Sequence, residues 1–250
     1  MTQPKVSIIV ISHRVELLKE CLDSIERQNY MNIEVLVHHT LKDPHTQMIE
    51  NGKINRLVEA SVGEYVSVIC EDDEYEPSFV NKTVDAIETE KVDMVYTDRI
   101  TIGAFVKHME SGEFTRDAYT SSIGCPLPGT VLVSRDAWES VQGYTACVYS
   151  DAHFTWKLCK YGMKAYHLRE PLFIYRVHNQ NRSNFDNHTN LFKQYYKENP
   201  ELMEKLNPTD PKLSLWQSKT VTELLNHFYG DKVKWPKYAQ LLLEPQKAIQ

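Results

Sequence analysis

Gly63-Glu64-Tyr65-Val66-Ser67-Val68-Ile69-Cys70-Glu71-Asp72-Asp73-Glu74-Tyr75-Glu76-Pro77 decides how the rest of the chain is read. Val66 to Cys70 is a short apolar run rich in β-branched residues, the pattern of a strand buried on both faces. It stops at three acids. Pro77 then opens a helical pattern, with Val80, Val84 and Ile87 at i, i+4 and i+7 and proline tolerated in the first turn. The acids are therefore predicted at the carboxyl end of a buried strand, in a strand-to-helix loop, where open α/β sheets place their ligands. Neighbouring carboxylates repel, and a hard divalent cation carrying phosphates relieves that repulsion. The same triplet also suits a solvated loop capping the next helix.

Upstream, Val6 to Ile11 is a continuous apolar run, a buried parallel-type strand. Leu18, Cys21, Leu22 and Ile25 then fall on one helical face, in a helix running to about Arg27. Ile33 to Val37 is a second strand, and β-α-β order predicts a parallel pair with a right-handed crossover. His38, His39 and His45 invite a zinc reading, but adjacent strand residues point to opposite faces, so His38 and His39 do not share a metal. Gly52 to Ala60 reads as a short helix whose Lys53 and Arg56 suit a solvated face. Downstream, Asp93 to Thr97 is a strand ending at Asp98, and Ile102 to Lys107 another, antiparallel one. Thr130 to Val133 is a strand, and Arg135 to Val141 a helix stopped by Gly143. Phe154, Leu158 and Tyr161 make a helical stripe ended by Gly162, with Ser150 or Asp151 at its N-cap. Ala165 to Leu168 is strand-like.

Gly-Glu-Tyr, an apolar run and Asp72-Asp73 followed by Pro77 resemble the strand and metal motif of family 2 glycosyltransferases of the GT-A fold. Val6 to Lys19, with Ser12-His13-Arg14 at its turn, resembles that family's opening segment, shortened by one residue and lacking its proline. Pro128 to Tyr144 resembles the acceptor-side segment, and Tyr175-Arg176-Val177-His178 the family's Tyr-Arg-x-His. The resemblance covers roughly residues 4–183. It implies an α/β, GT-A-type Rossmann-like mixed sheet flanked by helices, with residues 1–183 as catalytic domain and 184–250 as a flexible segment and helical C-terminal extension packed on it. It implies transfer of a sugar from a nucleotide-diphosphate sugar to an acceptor hydroxyl, with inversion and with Mn²⁺ or Mg²⁺. Residue by residue, Asp73 and His178 become the metal ligands and Asp151 the general base. Ser12, His13, Arg14, His39, Asn55, Asp72, Arg176 and Arg182 become donor or nucleotide contacts. Two departures stand out. Ser150 replaces the Glu that precedes the base, and His38-His39-Thr40 replaces the acidic strand end that recognises uracil. The alternative is a degenerate member that binds nucleotide or glycan without turnover.

The residues alone leave Asp151 as base or helix cap. Its chemistry as base is definite: an acceptor hydroxyl is a poor nucleophile until a positioned carboxylate accepts its proton. One base and one metal fit a single in-line displacement, whereas retention would want a second, nucleophilic carboxylate.

The chain has 250 residues, 42% hydrophobic and 25% charged, enough for one sizeable core. A net charge of −6 argues against general nucleic-acid binding. Five scattered cysteines without a Cys-x-x-Cys pair read as reduced thiols. Met1 to Lys5 runs straight into a strand, and no apolar run reaches the ~18 residues of a membrane span. The expected setting is cytoplasmic, at most peripheral to the inner face of a membrane. The acceptor class stays open among glycan, lipid-linked and other hydroxyls.

Asn179 to Asn190 is polar and reads as a lid that orders on donor binding. Beyond it Leu213, Trp216, Val221, Leu224, Leu225 and Phe228 fall at helical spacing and supply more apolar surface than a free tail exposes. That surface is coverable by the catalytic domain, by a second copy in a homodimer, or by a membrane, and the absence of a strongly basic face favours the first. A chain truncated after Asn190 is expected to melt lower and be less soluble. A soluble 1–190 fragment with unchanged melting temperature would overturn the packing.

Overall fold

A computed structural model describes residues 3–39, 47–104, 106–121, 126–145 and 150–178. Arg182, the polar stretch after Asn179, the helical extension, His45, Cys125 and Cys147 lie outside the described residues. In chain order the elements are β1 (Val6–Ser12), α1 (Val15–Glu26), β2 (Ile33–His39), α2 (Gln47–Ala60), β3 (Tyr65–Cys70), β4 (Glu74–Tyr75), α3 (Phe79–Glu90), β5 (Met94–Gly103), β6 (Lys107–Met109), α4 (Arg116–Ser121), β7 (Leu132–Ser134), α5 (Arg135–Ser140), α6 (Ser150–Lys160) and β8 (Ala165–Val177).

The strands form one mixed sheet of order β2-β1-β3-β7-β5-β8-β4, with β6 paired to β5. β1 is parallel to both β2 and β3, as the β-α-β reading requires. All seven residues of β1 are buried, because helices cover both faces of the sheet. On one face Val6, Ile8, Val10 and Ile69 pack with Cys21 and Ile25 of α1 and with Phe79, Val80, Val84 and Ile87 of α3. On the other, Ile9, Ile11, Val66 and Val68 pack with Ile54 and Val58 of α2, Trp138 of α5, and Phe154 and Leu158 of α6. The winding order reverses at β1: β2 lies on one side of it and β3 on the other. The loops after β1 and β3 therefore flank a crevice at their carboxyl ends, the switch point of the sheet.

Polar side chains fix the frame around β3. The Glu34 carboxylate accepts from Ser7 Oγ and from the amides of Val62 and Gly63. A Cβ on Gly63 would overlap Ser7, so the close approach needs glycine. Arg135 donates from Nε to the Gly63 carbonyl at 2.6 Å and from its terminal nitrogens to Val58 O and Ser61 Oγ, both at 2.8 Å. It thereby satisfies a carbonyl at the end of α2 and pins the α2–β3 connection. Ser134 Oγ caps α5 by accepting the Ala137 amide.

Several expectations are corrected here. The strand expected to end at Asp98 continues to Gly103, through a bulge at Asp98 against β8. β8 is thirteen residues long and runs through Pro171 to Val177 instead of stopping at Leu168. The two-residue β4 and the helix α4 carry no readable pattern. In α6, Phe154 and Leu158 are buried as expected, but Tyr161 is exposed and lies in the turn beyond the helix. Lys157 is fully buried, because its ammonium donates to the carbonyls of Val141 and Gly143 at the end of α5. Ser150 and Asp151 occupy the first turn of α6 rather than its N-cap.

Asp98 is the most heavily used of the buried acids. Its carboxylate accepts from His167 Nε2 at 2.7 Å, the Ser111 amide at 2.9 Å and His108 Nε2 at 3.2 Å. Burial works against its charge, but the Ser111 amide and the two imidazoles outweigh it and hold the carboxyl below its usual range. A depressed folded pKa means the ionised group contributes stability above its unfolded value, near pH ~4, and loses it as pH falls through the folded value. Asp98→Ala is expected to cost about 3 kcal/mol at neutral pH by urea unfolding. The gap to wild type should narrow in acid; a gap that widens there would contradict the assignment.

Candidate functional site

The acids stand where the sequence puts them, in the loop directly after β3. The Glu71 amide donates to the Ile11 carbonyl at 2.9 Å, which ties this loop to the end of β1. The Asp73 amide donates to the Cys70 carbonyl at 3.1 Å and turns the chain. Glu71 and Asp73 are buried.

Two arginines come in from either side. Arg14, on the turn between β1 and α1, donates from Nε to Glu71 Oε1 at 2.9 Å and from Nη2 to Asp72 Oδ2 at 2.7 Å. Its Nη1 lies 3.2 Å from His178 Nε2, which is itself 3.1 Å from Asp72 Oδ2. Burial works against the guanidinium's charge, and Glu71 and Asp72 outweigh it, so the pKa of Arg14 rises. Arg176, near the end of β8, donates its amide to Asp73 Oδ1 at 3.1 Å and its Nε to the Asp72 carbonyl at 3.2 Å. Its Nη2 pairs with Glu74 Oε1 at 2.7 Å and with Glu20 of α1. Gly103 lets this end of β8 approach β5, since a Cβ there would strike the Val177 carbonyl and its φ is +88°.

Asp73 Oδ2 accepts no hydrogen bond from the described residues. Burial, then the charges of Asp72 and Glu71, push the Asp73 carboxyl well above the usual carboxylate range. Cys70 is pushed up by burial and by the acids around it, Asp151 among them. Asp151 reaches the same strand end from the first turn of α6. A Cβ on Gly129 would sit 3.3 Å from Asp151 Oδ2, so glycine leaves that carboxylate its room.

The donor set fits a hard cation: the carboxylate of the buried Asp73, one oxygen of which has no described protein donor, pressed by a second carboxylate, with an imidazole beside them. No group of three or more His, Cys, Asp or Glu among the described residues forms a ready-made cage. The fit is therefore to a cation held by one or two carboxylates and completed by phosphate oxygens.

The other sequence candidates are distributed unevenly. Ser12, buried at the end of β1, lies with its Oγ 2.9 Å from His39 Nδ1 at the end of β2. His13 lies in the bend between Ser12 and Arg14. These three form the β1–β2 side of the crevice. Asn55 stands apart from that group. Its amide donates to the Tyr144 carbonyl and accepts the Tyr144 amide, both at 2.9 Å, a strut between α2 and the exit of α5. Glu20 and Glu74 are not distinguished on the sequence from solvated helix and loop acids, and Glu71 is read there only as one of the three strand-end acids. Arg99 was also missed. Its guanidinium sits 5.7 Å from the centre of the Tyr175 ring and its charge reaches Asp73.

No family model matches the chain, and no curated protein matches it. Among solved structures it is similar to the crystal structure of S. aureus TarS 1-349 in complex with UDP, at TM-score 0.59 and 15% identity over 91% of this chain and 72% of that one. It is also similar to S. aureus TarS 1-349 in complex with UDP-GlcNAc, at 0.58 and 14% identity over 96% and 84%. A third is the mannosyltransferase PcManGT from Pyrobaculum calidifontis in complex with GDP-Man and Mn²⁺, at 0.55 and 14% identity over 97% and 79%. At such identities the likeness shows the fold, and the fold is the GT-A type expected from the sequence.

Because Asp73 is a buried acid crowded by like charges, Asp73→Asn is expected to raise the metal-free melting temperature by a few degrees. A drop would mean that the carboxylate is a net structural asset.

Proposed function

We propose that the protein is a metal-dependent glycosyltransferase that moves a sugar from a nucleotide-diphosphate sugar to an acceptor hydroxyl with inversion. The observation that carries this is the convergence of two carboxylate sets on one strand end at the switch point. Asp72 and Asp73 come from the β3 loop, and Asp151 comes from α6. The GT-A fold and neighbours with UDP, UDP-GlcNAc or GDP-Man bound support the reading. UDP-sugars are the first donors to test and GDP-mannose the next.

In this reading Asp73, with Asp72 and His178, holds Mn²⁺ or Mg²⁺ together with the donor's diphosphate. When bound, the metal neutralises the charge that develops on the departing nucleoside diphosphate. Ser12, His13 and His39 border the nucleoside, and Arg14 lies within reach of the phosphates. Arg182 is a further phosphate contact in this proposal. Arg176, with its guanidinium between Glu20 and Glu74, orients Asp73 through its amide. Asp151 accepts the acceptor hydroxyl's proton as the new C–O bond forms at the anomeric carbon and the bond to the diphosphate breaks. Gly129 keeps the space beside that carboxylate open. One base and one leaving group give a single displacement, hence inversion. No helix among the described residues is long and apolar enough to cross a membrane.

A panel of UDP- and GDP-sugars with Mn²⁺ present, scored for release of the nucleoside diphosphate, tests the whole proposal. Binding without turnover across the panel would favour the alternative, a GT-A domain that recognises nucleotide or glycan only. Asp151→Asn should lower turnover about 10²-fold or more while donor affinity stays near wild type. A variant that keeps its rate would leave Asp151 as a helix-terminal charge alone.

A further inference from the structure

Arg14 commits all three guanidinium nitrogens to the site, to Glu71 Oε1, Asp72 Oδ2 and His178 Nε2. His178 Nε2 and Asp72 Oδ2 also lie 3.1 Å apart, so three groups close on one small space. An imidazole nitrogen carries either one lone pair or one proton. His178 Nε2 therefore either accepts from Arg14 or donates to Asp72. In neither state does it offer a lone pair to a cation. Asp72 Oδ2 is already the acceptor for Arg14 Nη2. The guanidinium thus occupies the ground from which a metal ion would reach Asp72 and His178, and two cations do not share that oxygen at contact distance without strong repulsion.

We propose that Arg14 is a resident counter-cation: it holds Asp72 and His178 in the metal-free protein, and the metal–diphosphate complex displaces it. This rests on the metal reading above and adds a competition to it. On displacement the guanidinium exchanges carboxylate oxygens for phosphate oxygens, which match its fork equally well. Asp72 is left without a cation in neither state: the metal takes it over as Arg14 takes the diphosphate. Free metal bears the full cost of evicting Arg14, whereas metal arriving with diphosphate supplies the arginine's next partner. Metal and nucleotide therefore bind with positive coupling, each tightening the other.

The test titrates Mn²⁺ alone into the full-length protein, following free Mn²⁺ by electron paramagnetic resonance, and repeats the titration with UDP present. Arg14→Gln should bind Mn²⁺ alone roughly tenfold more tightly, the equivalent of about 1.4 kcal/mol, and should lose most of the coupling to UDP. Arg14→Lys keeps the charge but not the fork, and should tighten Mn²⁺ by a smaller factor; it decides the question if circular dichroism shows Arg14→Gln unfolded. His178→Ala should weaken Mn²⁺ binding. Unchanged or weaker Mn²⁺ affinity in a folded Arg14 variant, with His178→Ala weakened, overturns the counter-cation and leaves the metal site standing. Unchanged Mn²⁺ affinity in both His178→Ala and Asp73→Asn removes the metal site itself, and with it the competition.

Discussion

Three carboxylates in succession after a buried strand set the terms on which this structure exists. Glu71, Asp72 and Asp73 repel one another in a place where water screens poorly. They are answered from two distant parts of the chain: Glu71 and Asp72 by Arg14 after β1, and Asp73 by the Arg176 amide on β8. The answer is incomplete. Asp73 keeps an oxygen without a described donor and a carboxyl that burial and its neighbours hold unusually ready to take up a proton. A fold optimised for stability alone would not place three acids here. Such a deficit marks the cluster as a candidate site for cationic or metal-carrying ligands.

Much of the frame was legible because parallel strands covered on both faces must be written in β-branched and aliphatic residues. Val6–Ser12 and Tyr65–Cys70 leave no other reading. What escaped were elements stabilised by partners rather than by pattern. β4 is two residues long and exists because Phe173 and Ile174 pair with it. A proline ordinarily interrupts a ladder, yet β8 continues through Pro171, because the register shift beside Asp98 absorbs the missing ladder hydrogen bond. Lysines are almost never fully buried unless paired, and Lys157 is buried because two carbonyls at the end of α5 take its ammonium.

The same division runs through the site. Strand-end acids and the charged turn after β1 are visible as motifs, so Asp72, Asp73 and Arg14 are found in one cluster. Asn55 also matches a motif, but its amide complements the backbone of Tyr144 completely, a long-range fit that no local spacing encodes. Glu20 is the converse. It sits among ordinary polar positions of α1 and acquires a role only because β8 delivers Arg176 beside it. Positions set by sequence-distant pairing are where reading along the chain stops being informative.

β8 is the last of the described strands, yet it lies between β5 and β4 in the sheet. Arg14 and Asp72 are separated by 58 positions, whereas Asp73 and Arg176 are separated by 103. Parallel pairing across such distances closes slowly, after the loop entropy has been met. As the chain leaves the ribosome, the arginine that meets Glu71 and Asp72 is already present when the acids emerge. The one that steadies Asp73 follows about a hundred residues later. The acidic loop thus matures in two stages, and the carboxylate best suited to a metal is the one the folding chain settles last.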